Sequence, residues 1–537
     1  MNKFRETLSI VFVSVITITA QNTDSLFNNF WSAYSFSEQE RIVSEEKPLI
    51  LKCGTNHIYY LKNNFDKLNI NQQNKIASIL QRPSTQKSLV SPSGYFRIHY
   101  DTTGIHQVGY SLTELAIAID SVYSFEIDFL GYPPPPPDGI QGGDDKYDIY
   151  IQDIGSIYGW TDFASTSNST SFMVIDNNFD IHYTKGIDGA KVTLAHEFHH
   201  AIQVGSYKYR SEDSYYYELL STSMEEFVFD TINDYYDYIS GYYNNPQAPF
   251  YATFGGGYDL AIWNIFLQNK YGYDIIKRGL ENVVNHSALN AIALSISEYG
   301  GSFKEDLAEF GIWNYFTGSR AKEGKYFKEA RFYPKVKPLM NMNFRPTSET
   351  VTVNSNPSSN NYLLFVDFSR GLPDSLVAII TNCDYQSKAR TEFSYTLYSF
   401  NASGSSQIND LFYSSILSNN RQIFLESVIF NNELAAEGRT ERLEIDYAYP
   451  QPFNYNKHSY VFIPAAADQS GKSSLNIYTI GMDLVFSGEK NIFATDKIVV
   501  RWDGKTANGE RLPTGVYVYV TKSGDTVKKG KLVIYNE

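Results

Sequence analysis

The 537 residues are 42% hydrophobic, enough apolar material for several cores, and the length implies roughly three or four domains. A net charge of −14 argues against a nucleic-acid or anionic-membrane partner, since both need a basic surface. With only Cys53 and Cys383, the chain is not a disulfide scaffold.

The chain opens like an export signal. Lys3 and Arg5 form a short basic region, residues 8–19 an apolar run, and Ala20 a small residue for cleavage. The run is too short and too rich in Ser and Thr to span a membrane. Residues 21–91 read as a propeptide, with helical periodicity at 71–80 and a Pro-Ser-Thr-Gln break at 83–86. Strands are expected at 96–100, 146–152 and 171–175. Helices are expected at 112–129, 192–204, 215–229, 258–270 and 302–315. A small sheet followed by a mainly helical set is an α+β domain over residues 92–335. The five prolines at 133–137 form a stiff spacer within a loop. Asp144, Asp145, Asp148 and Asp153 could offer oxygens to Ca2+, but alternation through 147–151 turns Asp148 away, so a solvated loop and strand end is expected.

After about Tyr333 the texture becomes all-β. Alternating segments at 349–353, 362–368 and 375–380 are separated by Asn, Ser and Gly turns. A β-sandwich is expected over 336–448 and a last β domain over 449–537. In the latter, Asp-Gly and Asn-Gly pairs suit tight turns and Val-Tyr alternation suits a half-exposed strand.

The chemistry concentrates at His196, Glu197 and His200, which spell H-E-x-x-H within an apolar stretch. On a helix, positions i and i+4 share a face, so both imidazoles can reach one small cation. Glu197 can then take a proton from water activated by a metal. Burying three histidines and a glutamate without partners is costly, which favours a cation over an idle surface helix. His199 is expected outside the ligand set, either behind it or facing solvent. The long metzincin pattern fails because Ser206 stands where its third His belongs. Glu218, 18 residues after His200, lies on a second expected helix and can complete a His-His-Glu zinc set. Glu225, two turns further along, can orient a ligating imidazole, or it can sit on a solvated helix face.

Cys53 lies in Lys52-Cys-Gly ahead of the catalytic region. Its thiolate could take the open zinc position and keep the enzyme latent. A buried inert thiol and a Cys53–Cys383 bridge are the alternatives.

The motif from His196 to Gln203, then Tyr217-Glu218 and Met224-Glu225, resembles a family of secreted bacterial metalloproteases of the gluzincin type. Residues 91–101, 130–138 with 144–153, and 315–320 resemble further stretches of that family, and the likeness covers about 96–320. It implies a zincin-like fold, one catalytic Zn2+, Glu197 as general base and hydrolysis of peptide bonds. It also makes Tyr258, in a Gly-Gly-Gly-Tyr run before a helix, the candidate donor to the oxyanion, although with 43 tyrosines a structural role is the default. Residues 449–454, 474–481, 500–504 and 513–519 resemble the immunoglobulin-like repeat of the flagellar hook-capping type and its relatives in type IX sorting domains. That likeness implies secretion or cell-surface machinery as a partner. The fold expected is therefore multidomain: an α+β zincin-like domain followed by all-β, immunoglobulin-like sandwich domains. Two functions follow, a secreted zinc endopeptidase and, as the alternative, a catalytically inactive surface adhesin built on a metalloprotease-like domain.

Overall fold

The structure, a computed structural model, describes residues 23–36, 50–253, 255–343, 348–367, 374–398, 412–418, 421–431, 448–456, 458–466, 471–494 and 498–536. The expected export signal lies outside them. Among the described residues no helix is long and apolar enough to cross a membrane.

The N-terminal region contributes α1 (Thr23–Tyr34), β1 (Leu51–Cys53), α2 (Thr55–Asn63), α3 (Ile70–Ile79) and β2 (Lys87–Val90). The α3 helix forms where periodicity predicts one. Asn69 accepts from the amides of Asn71 and Gln72 while Gln72 reaches back to the Asn69 amide, a reciprocal cap of about 1 kcal/mol. Next come β3 (Phe96–Tyr100), α4 (Leu112–Tyr123), β4 (Tyr147–Gln152), β5 (Ile157–Phe163) and β6 (Ser171–Asp176). They are followed by α5 (Gly186–Ser206), α6 (Ser214–Val228), α7 (Tyr236–Asn244) and α8 (Ala261–Tyr271).

Strands β1 to β6 make one sheet in the order β1-β5-β6-β4-β3-β2. Its centre is parallel (β3, β4, β6), β5 runs antiparallel to β6, and β1 lies parallel to β5 at the edge. Both faces are covered, which is why the inner strands read as nearly continuous apolar runs. On one face, Ile149, Ile151, Met173 and Ile175 pack with Leu115 and Ile119 of α4 and with Leu194 and Phe198 of α5. On the other, Tyr150, Trp160, Phe172 and Val174 pack with Phe27, Phe30, Ile58 and Ile76 of the N-terminal helices. Each fully buried Phe or Ile contributes about 1.5–3 kcal/mol. The N-terminal region is thus a layer of the fold.

The helix expected over 112–129 stops as an α-helix at Tyr123 and continues as a wider π-turn over Ser124–Phe129. That turn carries Glu126 inward.

Three further helices, α9 (Asp274–Val283), α10 (Ala288–Glu298) and α11 (Phe303–Tyr315), lead to the β region. There, β7 (Met340–Asn343), β8 (Ser348–Ser355), β9 (Ser359–Asp367), β10 (Asp374–Asn382), β11 (Thr391–Tyr398), β12 (Phe412–Ser418) and β13 (Arg421–Asn431) form two sheets. A five-stranded sheet has the order β12-β13-β10-β9-β7, and β8 pairs with β11. Val351 and Val353 of β8 pack on Leu363, Phe365, Ala378 and Ile380. The Tyr362 hydroxyl donates to the Gly311 carbonyl at 2.7 Å, tying β9 to α11.

The last strands are β14 (Phe453–Asn454), β15 (Val461–Pro464), β16 (Lys472–Thr479), β17 (Leu484–Ala494), β18 (Ile498–Trp502), β19 (Gly515–Ser523) and β20 (Thr526–Tyr535). They form one seven-stranded sheet, β14-β20-β19-β16-β17-β18-β15, around a buried Trp502. Strand β17 links its halves by pairing first with β16 and then, over its final residues, with β18. The whole is multidomain: an α+β region followed by all-β modules.

Candidate metal centre

Helix α5 is buried along most of its length, and all four residues from Glu197 to His200 are out of solvent. Its i,i+4 spacing sets His196 and His200 one turn apart, with their Nε2 atoms 3.2 Å from each other. Helix α6 returns antiparallel across them and brings Glu218 Oε2 to 3.1 Å from His196 Nε2 and 3.4 Å from His200 Nε2. Two neighbours fix which nitrogen carries each proton. Glu225 Oε1 accepts from His196 Nδ1 at 2.8 Å, and Gln203 Oε1 accepts from His200 Nδ1 at 2.8 Å. Gln203 cannot flip, because its amide nitrogen donates to the Tyr217 carbonyl at 3.1 Å. With Nδ1 committed in each ring, both Nε2 atoms face the Glu218 carboxylate.

A buried carboxylate packed against two imidazole nitrogens calls for positive charge, from a proton on the rings or from a cation. Burial alone would lower His196, yet Glu218 and Glu225 push it up to about 9. Burial would raise Glu218, but His200 and His196 pull it down to about 2. A tetrahedral cation at about 2.0–2.1 Å from nitrogen or oxygen ligands sets neighbouring donors about 3.3 Å apart. The observed separations of 3.1, 3.2 and 3.4 Å fit that geometry. With Cys53 Sγ, these ligand atoms all lie within 4.8 Å of one another, and all four residues are buried.

Cys53 arrives on the edge strand. β1 pairs with β5 in the register Leu51↔Ile157 and Cys53↔Gly159, and the Gly54 amide donates to the Gly159 carbonyl at 2.9 Å. Gly159 must be glycine, since a Cβ there would lie 2.7 Å from Thr193 and 2.9 Å from the Val174 carbonyl. Burial, then Glu197 and Glu218, push the Cys53 thiol well up from its ordinary range. The Cys53–Cys383 bridge is not formed. Cys383 instead packs beside Ala308 of α11.

Glu197 is held by one oxygen only. Its Oε2 accepts from Thr161 Oγ1 at 2.9 Å and from Thr55 Oγ1 at 3.2 Å. Its Oε1 is buried and has no hydrogen-bond partner among the described residues. Asn56 Nδ2 donates to Glu218 Oε1 at 2.6 Å, so residues 53–56 touch Glu197 and Glu218 directly. Tyr258 sits across the site, half-buried, its ring 6.0 Å from that of His196 and its hydroxyl directed at Glu218. Gly257, at φ +114°, precedes it. A Cβ there would strike the Tyr215 carbonyl at 2.1 Å, so glycine is what lets this turn press against α6.

All six residues singled out from the sequence, His196, Glu197, His200, Glu218, Glu225 and Tyr258, thus converge, with Cys53 among them. The reading of Glu225 as a solvated face is corrected, since it is buried against His196. His199 is neither behind the ligands nor in solvent. It points the other way on α5 and meets Glu126 Oε2 at 2.7 Å, where burial favours the neutral form of both groups. Within the acid run at 144–153, Asp144 and Asp148 are taken up by the chain's own cations, and the expected solvated strand end is corrected, since Asp148 is buried. Asp144 pairs with Arg97 at 2.6 Å and Lys146 at 2.8 Å, and Asp148 pairs with Arg82 and with His99 at 2.7 Å. Sequence reasoning missed β5 with Thr161, the α2 residues Thr55 and Asn56, and the part Gln203 plays beside His200. The aromatic and β-branched run Ile157–Phe163 is the signal that could have found the strand.

No protein-family profile and no curated protein matches the chain. Two solved structures from Porphyromonas gingivalis are matched weakly. One is PorZ, a surface component of the type IX secretion system, at 16% identity over 33% of this chain and 23% of that one, with a TM-score of 0.14. The other is dimeric latent PorU, at 12% identity over 37% of this chain and 19% of that one, with a TM-score of 0.13. The chain spans less than a quarter of either protein. At these scores the likeness fixes neither the fold nor the function of this chain.

Proposed function

We propose that the chain is a secreted zinc-dependent endopeptidase with a zincin-like catalytic domain over residues 92–335, held latent by residues 50–56. The observation that carries this reading is the convergence of two Nε2 atoms and a carboxylate oxygen at 3.1–3.4 Å, beside a buried Glu197 with one oxygen unpartnered among the described residues. His196, His200 and Glu218 would hold the ion, a His-His-Glu set suited to zinc. Zinc, when bound, supplies a Lewis acid that acidifies water and polarises a carbonyl. Thr161 fixes Glu197 Oε2, which leaves Oε1 to take a proton from the attacking water and return it to the leaving nitrogen. Glu225 and Gln203 keep the imidazoles in the ligating tautomer. Tyr258 would donate to the oxygen that gains charge as the carbonyl is attacked.

In the latent form, Cys53 would take the remaining ligand position while Thr55 and Asn56 engage Glu197 and Glu218. Burial would hold this thiol protonated on its own, and only a cation at the set makes the thiolate favourable. We further propose that residues 449–537 form an immunoglobulin-like sorting or anchoring domain that engages secretion machinery, on the sequence resemblance above.

The test is zinc content by mass spectrometry together with cleavage of an unstructured protein before and after chelation, using the full chain and its Cys53→Ser variant. One zinc per chain and chelator-sensitive cleavage, faster in Cys53→Ser, are expected. Stoichiometric metal with no hydrolysis by any form of the chain would give the adhesin reading instead. If Cys53→Ser is as inactive as the parent chain while other forms cut, the latency role of the thiol is lost.

A further inference from the structure

One residue before Cys53, the Lys52 side chain leaves the edge strand and enters a closed anionic pocket. Its ammonium meets Asp234 and lies 2.9 Å from Glu225 Oε2, with only 3% of the residue exposed. The Tyr158 ring covers the ammonium at 4.3 Å from its centroid, and the Tyr238 ring stands at 5.7 Å. The Tyr158 hydroxyl donates to the other Asp234 oxygen at 3.0 Å and so aims the carboxylate at the ammonium. Aromatic faces and a paired carboxylate are the chemistry that recognises a desolvated cation on an aliphatic stem. Two carboxylates and a ring face around one ammonium, with almost no solvent, are contacts that suit a cationic occupant.

The ownership of this pocket carries the argument. Tyr158 belongs to β5, Asp234 to the turn before α7, Tyr238 to α7 and Glu225 to α6. None of the four belongs to the N-terminal layer, which supplies only the occupant. That occupant enters as peptides enter such clefts, by adding a strand to an exposed sheet edge, where main-chain hydrogen bonds give affinity and alternate side chains give selectivity. The pocket also shares Glu225 with the metal set, through His196 at 2.8 Å.

Building on the peptidase reading, we propose that the pocket formed by Tyr158, Glu225, Asp234 and Tyr238 selects a lysyl side chain next to the bond to be cleaved, and that Lys52 occupies it as the internal stand-in for substrate. The substrate class is then extended polypeptide with a basic residue flanking the scissile bond. An empty pocket would strand a buried carboxylate at Asp234, so neutral peptides are disfavoured by an uncompensated charge as well as by a missing contact.

Two measurements on the full chain test this. Lys52→Ala removes the stem and ammonium, and n-butylammonium is the probe. The amine is expected to raise the melting temperature of Lys52→Ala but not of the parent chain, with n-butanol inert and Lys52→Ala/Asp234→Asn unresponsive. The double variant Lys52→Ala/Cys53→Ser, loaded with zinc, is then incubated with an unstructured protein of varied sequence. Cuts flanking Lys should exceed those at neutral residues by roughly tenfold or more, the scale of one desolvated charge contact. Cuts indifferent to basic residues, or a melting temperature indifferent to the amine, would overturn the pocket assignment. Bound zinc with no cutting at all would overturn the peptidase reading instead, and the amine titration would still decide the pocket by itself.

Discussion

Two regions gather charged and metal-ligating side chains, one around His196 and the other around Asp148, and they are built on opposite logic. At the second, the acids that face inward meet cations of the chain: Asp148 has Arg82 and His99, and Asp144 has Arg97 and Lys146. At the first, His196, His200, Glu218 and Cys53 bring donor atoms together with no Lys or Arg among them. Lys52 stands beside this set but is paired with Asp234 and Glu225. Clustered acids alone are therefore uninformative. What marks a ligand site is a buried surplus of lone pairs that the polypeptide leaves unbalanced.

The contrast can be broken at several points. The largest effect is expected from His196→Ala, which should drop zinc from one per chain to near zero by mass spectrometry. If zinc persists, the donors bind nothing at that place. Introduced into the Cys53→Ser form, Glu197→Gln should retain the metal and lose roughly 10²–10⁴-fold in peptide turnover, the range for a positioned general base. Turnover equal to that of Cys53→Ser alone would remove Glu197 from proton transfer. Tyr258→Phe should cost about 10²-fold in kcat, as removal of one oxyanion donor does, with zinc content intact. An unchanged rate leaves Tyr258 as packing. Arg82→Met should leave zinc content and turnover alone while lowering stability by about 3 kcal/mol in urea, because Asp148 is then buried beside His99 only. Calcium should not restore that loss. If it does, the acids around Asp148 form a cation site after all.

The sequence carried the centre of the site well. H-E-x-x-H on an apolar helix sets two imidazoles on one face through the 3.6-residue turn, and Glu218 follows from the need for a return helix of matching length. Helices with clear apolar periodicity, such as α5, α6, α8 and α11, fall within a few residues of expectation, although the helix placed at 192–204 extends to Gly186–Ser206. The helices α7, α9 and α10 escaped notice. In α7 the tyrosines blur the contrast between apolar and polar faces.

What could not be read was set by tertiary pairing. Strand β1 has three residues and exists only because β5 offers an edge. The contacts of Thr55 and Asn56, and the seat of Lys52, span more than 100 residues of chain. The N-terminal region was legible as a segment preceding the α+β domain, but not as a structural layer, because its partners on the sheet look like ordinary core residues.

That layer bears on the latency proposed above. Phe27, Phe30 and their neighbours cover Tyr150, Trp160, Phe172 and Val174, so a nick in the backbone would not set the N-terminal helices adrift. Detaching them would wet a broad oily surface, and the severed piece should co-elute with the remainder on gel filtration. On the latency proposed above, opening the site would then take only a short local peel of residues 51–56, with the helical blanket behind them staying in place.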